Sequence, residues 1–124
     1  MKPGPTTILC IDDDLTGLNV RKLLLESSGY RVLTAASGPE GIHLFQRNTV
    51  AAVVLDYYMP GMHGGAVAIE LKRLKPATPI IMLSAYVALP DEVMEYVDVF
   101  IQKGQHPEAF LEKLDHLLGT SATR

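Results

Sequence analysis

The chain has 124 residues, a length suited to one domain, with 48% hydrophobic and 20% charged residues, as in ordinary globular proteins. One cysteine excludes an internal disulfide, and a net charge of −3 leaves no basic field to hold a nucleic-acid backbone. The N-terminus has no apolar run of signal-peptide length, and no segment reaches a membrane span. We expect a cytoplasmic single domain over residues 1–124, with a core over about 7–118 and a tail at 119–124, that binds neither nucleic acid nor membrane.

The first half of the chain alternates short apolar runs with helical patterns. Residues 7–11 are rich in β-branched side chains and end in three aspartates, which predicts a buried strand with charge at its carboxyl end. Residues 15–28 have helical content, and residues 30–35 predict a second strand. Ser37 and Glu40 then have the spacing of a capping box, which predicts that a second helix begins there.

The second half repeats this alternation with three further apolar runs and three further helical segments. The strands are expected over 51–55, 79–83 and 99–102, and the helices over 65–74, 90–96 and 107–118, of which 90–96 is short and weakly coded. Five strands alternating with five helices predict a parallel sheet with helices on both faces. Because crossovers between parallel strands are right-handed, the sheet is expected to be doubly wound.

Polar side chains follow four of the predicted strands at the point where each strand ends. They are Asp12 and Asp13 after the first strand, Asp56 after the third, Ser84 after the fourth and Lys103 after the fifth. Because ligands bind at the carboxyl ends of the strands in such sheets, we expect these side chains to lie together. Three close carboxylates repel one another unless a cation is present, and Mg²⁺ prefers oxygen ligands. Asp56 is then the predicted nucleophile, which forms an aspartyl phosphate whose oxygens Lys103 and Ser84 contact.

Four motifs at these strand ends resemble the response-regulator receiver family. They are Ile11-Asp12-Asp13, Leu55-Asp56-Tyr57-Tyr58-Met59-Pro60-Gly61, Leu83-Ser84-Ala85 and Phe100-Ile101-Gln102-Lys103. The resemblance extends over residues 7–118, and each motif stands in the expected order at the end of a predicted strand. It implies a flavodoxin-like (βα)5 fold with a five-stranded parallel sheet in the strand order 2-1-3-4-5.

The resemblance also implies a role for each matching residue. The matched positions are the metal-binding acidic pair Asp12 and Asp13, the phosphoacceptor and metal ligand Asp56, the backbone-carbonyl ligand Tyr58, the switch residues Ser84 and Phe100, the phosphate-pairing Lys103 and the small residue Ala85. The implied cofactor is Mg²⁺, and the implied donor is the phosphohistidine of a sensor histidine kinase or histidine phosphotransfer protein. The implied output is contact with a downstream protein through the fourth helix, fifth strand and fifth helix. Such a protein is a phosphoacceptor switch that phosphorylates and slowly dephosphorylates itself, not a turnover enzyme.

Three features of this chain lead to expectations of their own. The family usually has Pro, often after a cis peptide bond, where this chain has Gly104. Because a cis bond before a non-proline residue costs about 2.5–4 kcal/mol, we expect a trans bond and a rearranged loop. His63 stands where the family favours Asp or Asn, so the turn after the site is expected to differ. Tyr58 and Tyr86 are predicted to shield the phosphoryl group from water and to prolong its lifetime.

Two other functions are compatible with the same residues. The run Asp12-Asp13-Asp14-Leu15-Thr16 fits the Asp-x-Asp-x-Thr motif of haloacid-dehalogenase-like phosphatases, with Asp12 as nucleophile and Asp14 as acid/base. That interpretation leaves Asp56 without a role and lacks a late acidic pair for the metal, and Asp14 equally suits a helix start. The other alternative is a receiver-like interaction module that is never phosphorylated, which Gly104 keeps open.

Overall fold

The computed structural model of the protein describes residues 6–85, 88–104 and 106–119, and within them five strands alternate with five helices. The strands are β1 (Thr7–Ile11), β2 (Arg31–Ala35), β3 (Ala52–Asp56), β4 (Ile80–Ser84) and β5 (Val99–Gln102). The helices are α1 (Leu15–Ser27), α2 (Gly38–Arg47), α3 (Gly64–Leu74), α4 (Asp91–Met94) and α5 (Pro107–Leu118). In this part of the chain, no helix is long and apolar enough to cross a membrane.

The five strands form one parallel sheet in the order β2-β1-β3-β4-β5, which confirms the predicted fold class. In the register, Ile11 lies opposite Leu55, and Asp56 lies opposite Leu83. Consequently Asp12, which follows Ile11, lies beside Asp56 at the carboxyl edge of the sheet. The strand register alone therefore brings the predicted acidic residues to one place.

Both faces of the sheet are buried, each under its own set of helices. The core under α2, α3 and α4, called the α2–α4 core, includes Leu9, Ile11, Val53, Leu55 and Met82 from the strands and Phe45, Val67, Leu71 and Val93 from the helices. The core under α1 and α5, called the α1–α5 core, includes Ile8, Cys10, Val54, Ile81 and Ile101 from the strands and Leu18, Leu25, Phe110 and Leu114 from the helices. Successive residues of each strand thus enter different cores, as the pleat requires. Burial raises the pKa of the Cys10 thiol to about 12, so this cysteine remains a protonated core side chain.

The boundaries of most elements agree with expectation to within one residue, and the N-cap half of the predicted capping box is confirmed. Ser37 Oγ accepts a hydrogen bond from the backbone N–H of Glu40 at 3.3 Å. The Glu40 carboxylate in turn accepts one from the N–H of Ala36 at 2.6 Å. The first bond satisfies a backbone donor in the first turn of α2, and the second fixes the chain just before the helix, because Glu40 reaches Ala36 and not the N-cap residue Ser37.

Helix α4 is shorter than predicted, because it ends at Met94 and the prediction extended to 96. The backbone N–H groups of Tyr96 and Val97 bond to carbonyls three residues back, of Val93 and Met94. This pattern is a tightened 3₁₀-type turn, which ends the helix and leads directly into β5. A single helical turn has little cooperative stability of its own, so α4 depends on the contacts that it makes with its neighbours.

The start of α3 packs unusually close to the end of β3 because residue 64 is glycine. A Cβ atom at Gly64 would lie 2.4 Å from the carbonyl oxygen of Asp56 and 2.6 Å from Cα of Tyr57. The N–H of Gly64 also donates to the carbonyl of Tyr57 at 2.7 Å. No larger residue fits at this position without displacing the backbone that carries Asp56.

We therefore predict that Gly64→Ala lowers the free energy of unfolding by about 2 kcal/mol, because the new methyl group meets backbone atoms that cannot turn away. Urea denaturation followed by circular dichroism measures this change. Gly17→Ala in α1 is the matched control, because its Cβ meets chiefly the Asp14 side chain, which can rotate. The control is expected to be as stable as wild type or more stable. An unchanged Gly64→Ala variant would contradict the close packing described here.

Candidate functional site

Three carboxylates gather at the carboxyl edge of the sheet. Asp12 follows β1, Asp13 is its exposed neighbour, and Asp56 is the last residue of β3. One carboxylate oxygen from each lies within 4.8 Å of the others. Asp12 is 1% exposed and Asp56 is 4% exposed, so two of the three charges lie almost out of water. Such an arrangement is strongly repulsive and requires positive charge nearby.

Lys103 supplies one of these positive charges from the residue that follows β5. Its Nζ lies 2.6 Å from Asp56 Oδ1 and 3.6 Å from Asp12 Oδ2. The backbone N–H of Lys103 donates to the carbonyl of Ser84 at 2.7 Å, which ties the end of β5 to the end of β4. The ammonium group therefore bridges two carboxylates that belong to different strands.

Arg21 supplies a second positive charge, which the strand-end pattern did not predict. Its guanidinium donates to Asp12 Oδ2, and its side chain is only 16% exposed. A signal for this contact was present in the sequence: Leu18, Arg21 and Leu25 share the inward face of α1 at helical spacing, and the two leucines are buried in the α1–α5 core. An arginine on that stripe has to find an acidic partner at the sheet.

Burial of the Asp56 side chain raises the pKa of its carboxyl group, and the negative charge of Asp12 acts in the same direction. The hydrogen bond and the charge of Lys103, together with the more distant charge of Arg21, lower that pKa and oppose the shift. The balance leaves the pKa of Asp56 above its ordinary value. The chain thus keeps a buried carboxylate that is less stabilised by its surroundings than a solvated one, which is the state expected of an available nucleophile.

These acidic and basic groups line a surface depression at the carboxyl edge of the sheet. Its lining residues are Asp12, Asp13, Asp14, Asp56, Tyr58, Ala85 and Lys103. The Tyr58 side chain is 70% exposed at the rim. Tyr86, the second tyrosine predicted to shield the site, lies outside the described residues.

The two predicted switch residues lie on the neighbouring strands β4 and β5. Ser84 ends β4 and is buried, while Phe100 in β5 is half-buried against the α2–α4 core. Met82 of β4 lies opposite Phe100, and Ser84 is two residues beyond Met82. Because alternate residues of a strand share a face, Ser84 and Phe100 both belong to the sheet face covered by α3 and α4.

Both departures from the family pattern have a structural counterpart. The bond between Lys103 and Gly104 is trans, and Gly104 has a φ of +93°, a conformation that proline cannot adopt. The backbone at residue 104 therefore has a conformation that suits glycine. His63 precedes α3 as its N-cap, and its ring lies 5.9 Å from the ring of Tyr57.

Asp14 is the N-cap of α1, and its backbone N–H donates to Asp12 Oδ1 at 2.9 Å.

A family model and two curated relatives match this chain over most of its length. The model of the family described as response regulator receiver domain matches residues 8–115. The chain is 34% identical over 125 residues to the transcriptional regulatory protein GlrR of Escherichia coli (strain K12), covering 98% of this chain and 28% of that protein. It is 30% identical over 116 residues to the response regulator SaeR of Staphylococcus aureus (strain USA300), covering 91% of this chain and 50% of SaeR. The chain therefore spans half or less of the length of these relatives.

Two solved structures show the same architecture. A CheY-like response regulator receiver domain protein from Methanospirillum hungatei JF-1 superposes with a TM-score of 0.86 at 29% identity, covering 94% of this chain and 95% of that one. The response regulator TrrA from Thermotoga maritima, solved in complex with Mg²⁺ and BeF, superposes with a TM-score of 0.86 at 31% identity. That match covers 90% of this chain and 98% of TrrA.

The raised pKa of Asp56 predicts that Asp56→Asn stabilises the metal-free protein at pH 7, because the buried carboxylate costs free energy on folding and the neutral amide does not carry that charge. With its pKa raised on folding, Asp56 binds protons more tightly in the native state, so the free energy of unfolding falls as pH rises through that pKa. The advantage of the Asn variant should therefore shrink as pH falls. Urea denaturation in EDTA at several pH values tests this.

Glu112→Gln is the matched control for that experiment, because it removes the same charge from an exposed position on α5. It is expected to leave the stability within about 0.5 kcal/mol of wild type. If Asp56→Asn were less stable than wild type at pH 7, the carboxylate would be held favourably and the raised pKa would be wrong.

Proposed function

The chain belongs to the response-regulator receiver family of two-component systems, and from this premise we propose that it accepts a phosphoryl group on Asp56 in a Mg²⁺-dependent phosphorelay. Members of this family are signalling switches rather than classical enzymes. The observation that carries the proposal is the contact of 2.6 Å between Lys103 Nζ and Asp56 Oδ1 inside a cluster of three carboxylates. A phosphoacceptor needs a buried but reachable carboxylate with a positive group beside it, and Asp56 meets both needs.

The donor set of the pocket fits a hard divalent cation. Three carboxylates offer oxygen atoms within 4.8 Å of one another, and the cluster borders an open depression. The side chains of Asp12, Asp13 and Asp56 and the backbone carbonyl of Tyr58 would hold Mg²⁺. When bound there, the ion would neutralise negative charge on the transferred phosphoryl oxygens.

The chemistry assigned to the chain's own residues is a simple displacement. An oxygen of Asp56 attacks the phosphorus of a phosphohistidine, a P–O bond forms, the P–N bond breaks, and the imidazole leaves with the electron pair. Lys103 lies where it can hold a phosphoryl oxygen, and its charge also opposes the rise in the pKa of Asp56 that burial causes. The small side chain of Ala85 leaves the depression open for the donor.

The switch is proposed to run from the pocket through Ser84 and Phe100 to the surface formed by α4, β5 and α5. Two observations support this path. Ser84 and Phe100 lie on the same face of adjacent strands, and that face is covered by α3 and by α4, a helix of a single turn. A short helix with few stabilising bonds can change its packing at low cost, as a two-state switch requires.

The partners follow from this assignment. We infer that the donor is a sensor histidine kinase or a histidine phosphotransfer protein in the cytoplasm, and that a downstream protein binds the α4–β5–α5 surface. Residues 1–124 are assigned to one receiver domain. A net charge of −3 does not favour nucleic-acid binding by these residues.

The direct test is to incubate the protein with acetyl phosphate and Mg²⁺ and to measure its intact mass. We expect the gain of one phosphoryl group in wild type, its loss in Asp56→Asn, and its retention in Asp14→Asn. Asp14 is the matched control, because it lines the same depression but has no role in a receiver mechanism.

Other outcomes would favour the alternatives. A label that survives Asp56→Asn but is lost in Asp12→Asn would support the phosphatase mechanism, in which Asp12 is the nucleophile. No label in wild type, together with no binding of beryllofluoride, would identify an interaction module that is never phosphorylated.

A further inference from the structure

Both carboxylate oxygens of Asp12 already have partners within the protein. Oδ1 accepts a hydrogen bond from the backbone N–H of Asp14 at 2.9 Å. Oδ2 accepts one from the guanidinium of Arg21 and lies 3.6 Å from Lys103 Nζ. Because Asp12 is 1% exposed, these contacts take the place of water. Any cation that binds Asp12 has to share an oxygen or take it over.

Arg21 also changes the total charge of the cluster formed by Asp12, Asp13 and Asp56. These three carboxylates together with Lys103 and Arg21 carry one net negative charge, whereas without Arg21 they would carry two. The attraction of the site for a divalent cation depends directly on this charge, and the effect is large where the groups are shielded from water. Arg21 therefore weakens that attraction in addition to occupying an oxygen.

The guanidinium has a place to which it can withdraw. Arg21 and Lys103 also border a largely apolar pocket between α1 and the start of α5, whose lining includes Leu24, Gly104 and Pro107. The long stem of an arginine can pack against such a surface while its charged head moves. Displacement of Arg21 from Asp12 thus requires a change of side-chain conformation and no movement of α1.

From this geometry we propose that Arg21 is an internal competitor of the divalent cation. Its guanidinium occupies Asp12 Oδ2, which also lies 3.6 Å from Lys103 Nζ, so a cation that binds Asp12 has to share this carboxylate with Arg21 or displace it, and the affinity of the site for Mg²⁺ is lowered. The proposal rests on the proposed function in one respect, namely that Asp12 is a metal ligand. In this role Arg21 is a positioning residue that tunes metal loading, and it takes no part in phosphoryl transfer.

The test is to titrate Mg²⁺ into the unphosphorylated protein and to follow the amide resonances of Asp13 and Lys103 by NMR. Arg21→Gln is expected to bind Mg²⁺ about tenfold more tightly than wild type, because it removes both the competing contact and one positive charge. Arg31→Gln is the matched control, since Arg31 is exposed at the start of β2, at the opposite edge of the sheet. It loses the same charge and is expected to bind Mg²⁺ as wild type does.

A second variant keeps the test decisive if Arg21→Gln does not fold. Arg21→Lys retains the charge but loses the forked guanidinium, so its affinity is expected to lie between those of wild type and Arg21→Gln. An affinity for Mg²⁺ that is unchanged or weaker in both Arg21 variants would overturn the proposal while leaving the metal site intact. Absence of Mg²⁺ binding in wild type and in every variant would instead show that the proposed metal site is wrong, and this inference would fail with it.

Discussion

Repulsion among carboxylates at the carboxyl edge of a parallel sheet is the constraint on which the rest of this molecule depends. The register that buries both faces of the sheet also places Asp12 and Asp56 side by side, nearly out of water. Two positively charged side chains partly neutralise these carboxylates, Lys103 from the end of β5 and Arg21 from the inner face of α1. The protein accepts a locally unfavourable arrangement here, as functional sites commonly do, and the two hydrophobic cores supply the stability that permits it.

The two cores also divide the site between two sets of helices. Arg21 approaches Asp12 from the α1–α5 side, whereas Ser84 and Phe100 belong to the side covered by α3 and α4. Cation balance and the proposed switch thus use opposite faces of one sheet. Close contacts such as that of Gly64 with the Asp56 carbonyl fix the distance between the end of β3 and the start of α3.

Much of this organisation was predictable from local patterns in the sequence. Buried parallel strands are short runs of apolar, β-branched residues, so strands such as 7–11 and 99–102 could be located without knowledge of the fold. The polar residues that follow the predicted strands then predicted the cluster of Asp12, Asp56 and Lys103. The parts that could not be predicted depend on tertiary contacts. The length of α4 is set by a tightened turn and its neighbours. The spacing on α1 indicates that Arg21 faces the sheet, but which carboxylate it contacts depends on how α1 packs. The raised pKa of Asp56 follows from burial, which no local pattern specifies.

All the residues assigned to the site lie at or near one edge of the sheet, and this asymmetry has a practical consequence for protein engineering. The opposite edge carries the helix-to-strand turns, such as the exposed turn at Gly29 between α1 and β2. Tags, fluorophores and inserted sensor modules can be attached there with the whole length of the strands between them and the carboxylates. The fold thus places the site at one edge of the sheet and positions suited to modification at the other, which makes the domain a suitable scaffold for synthetic signalling devices.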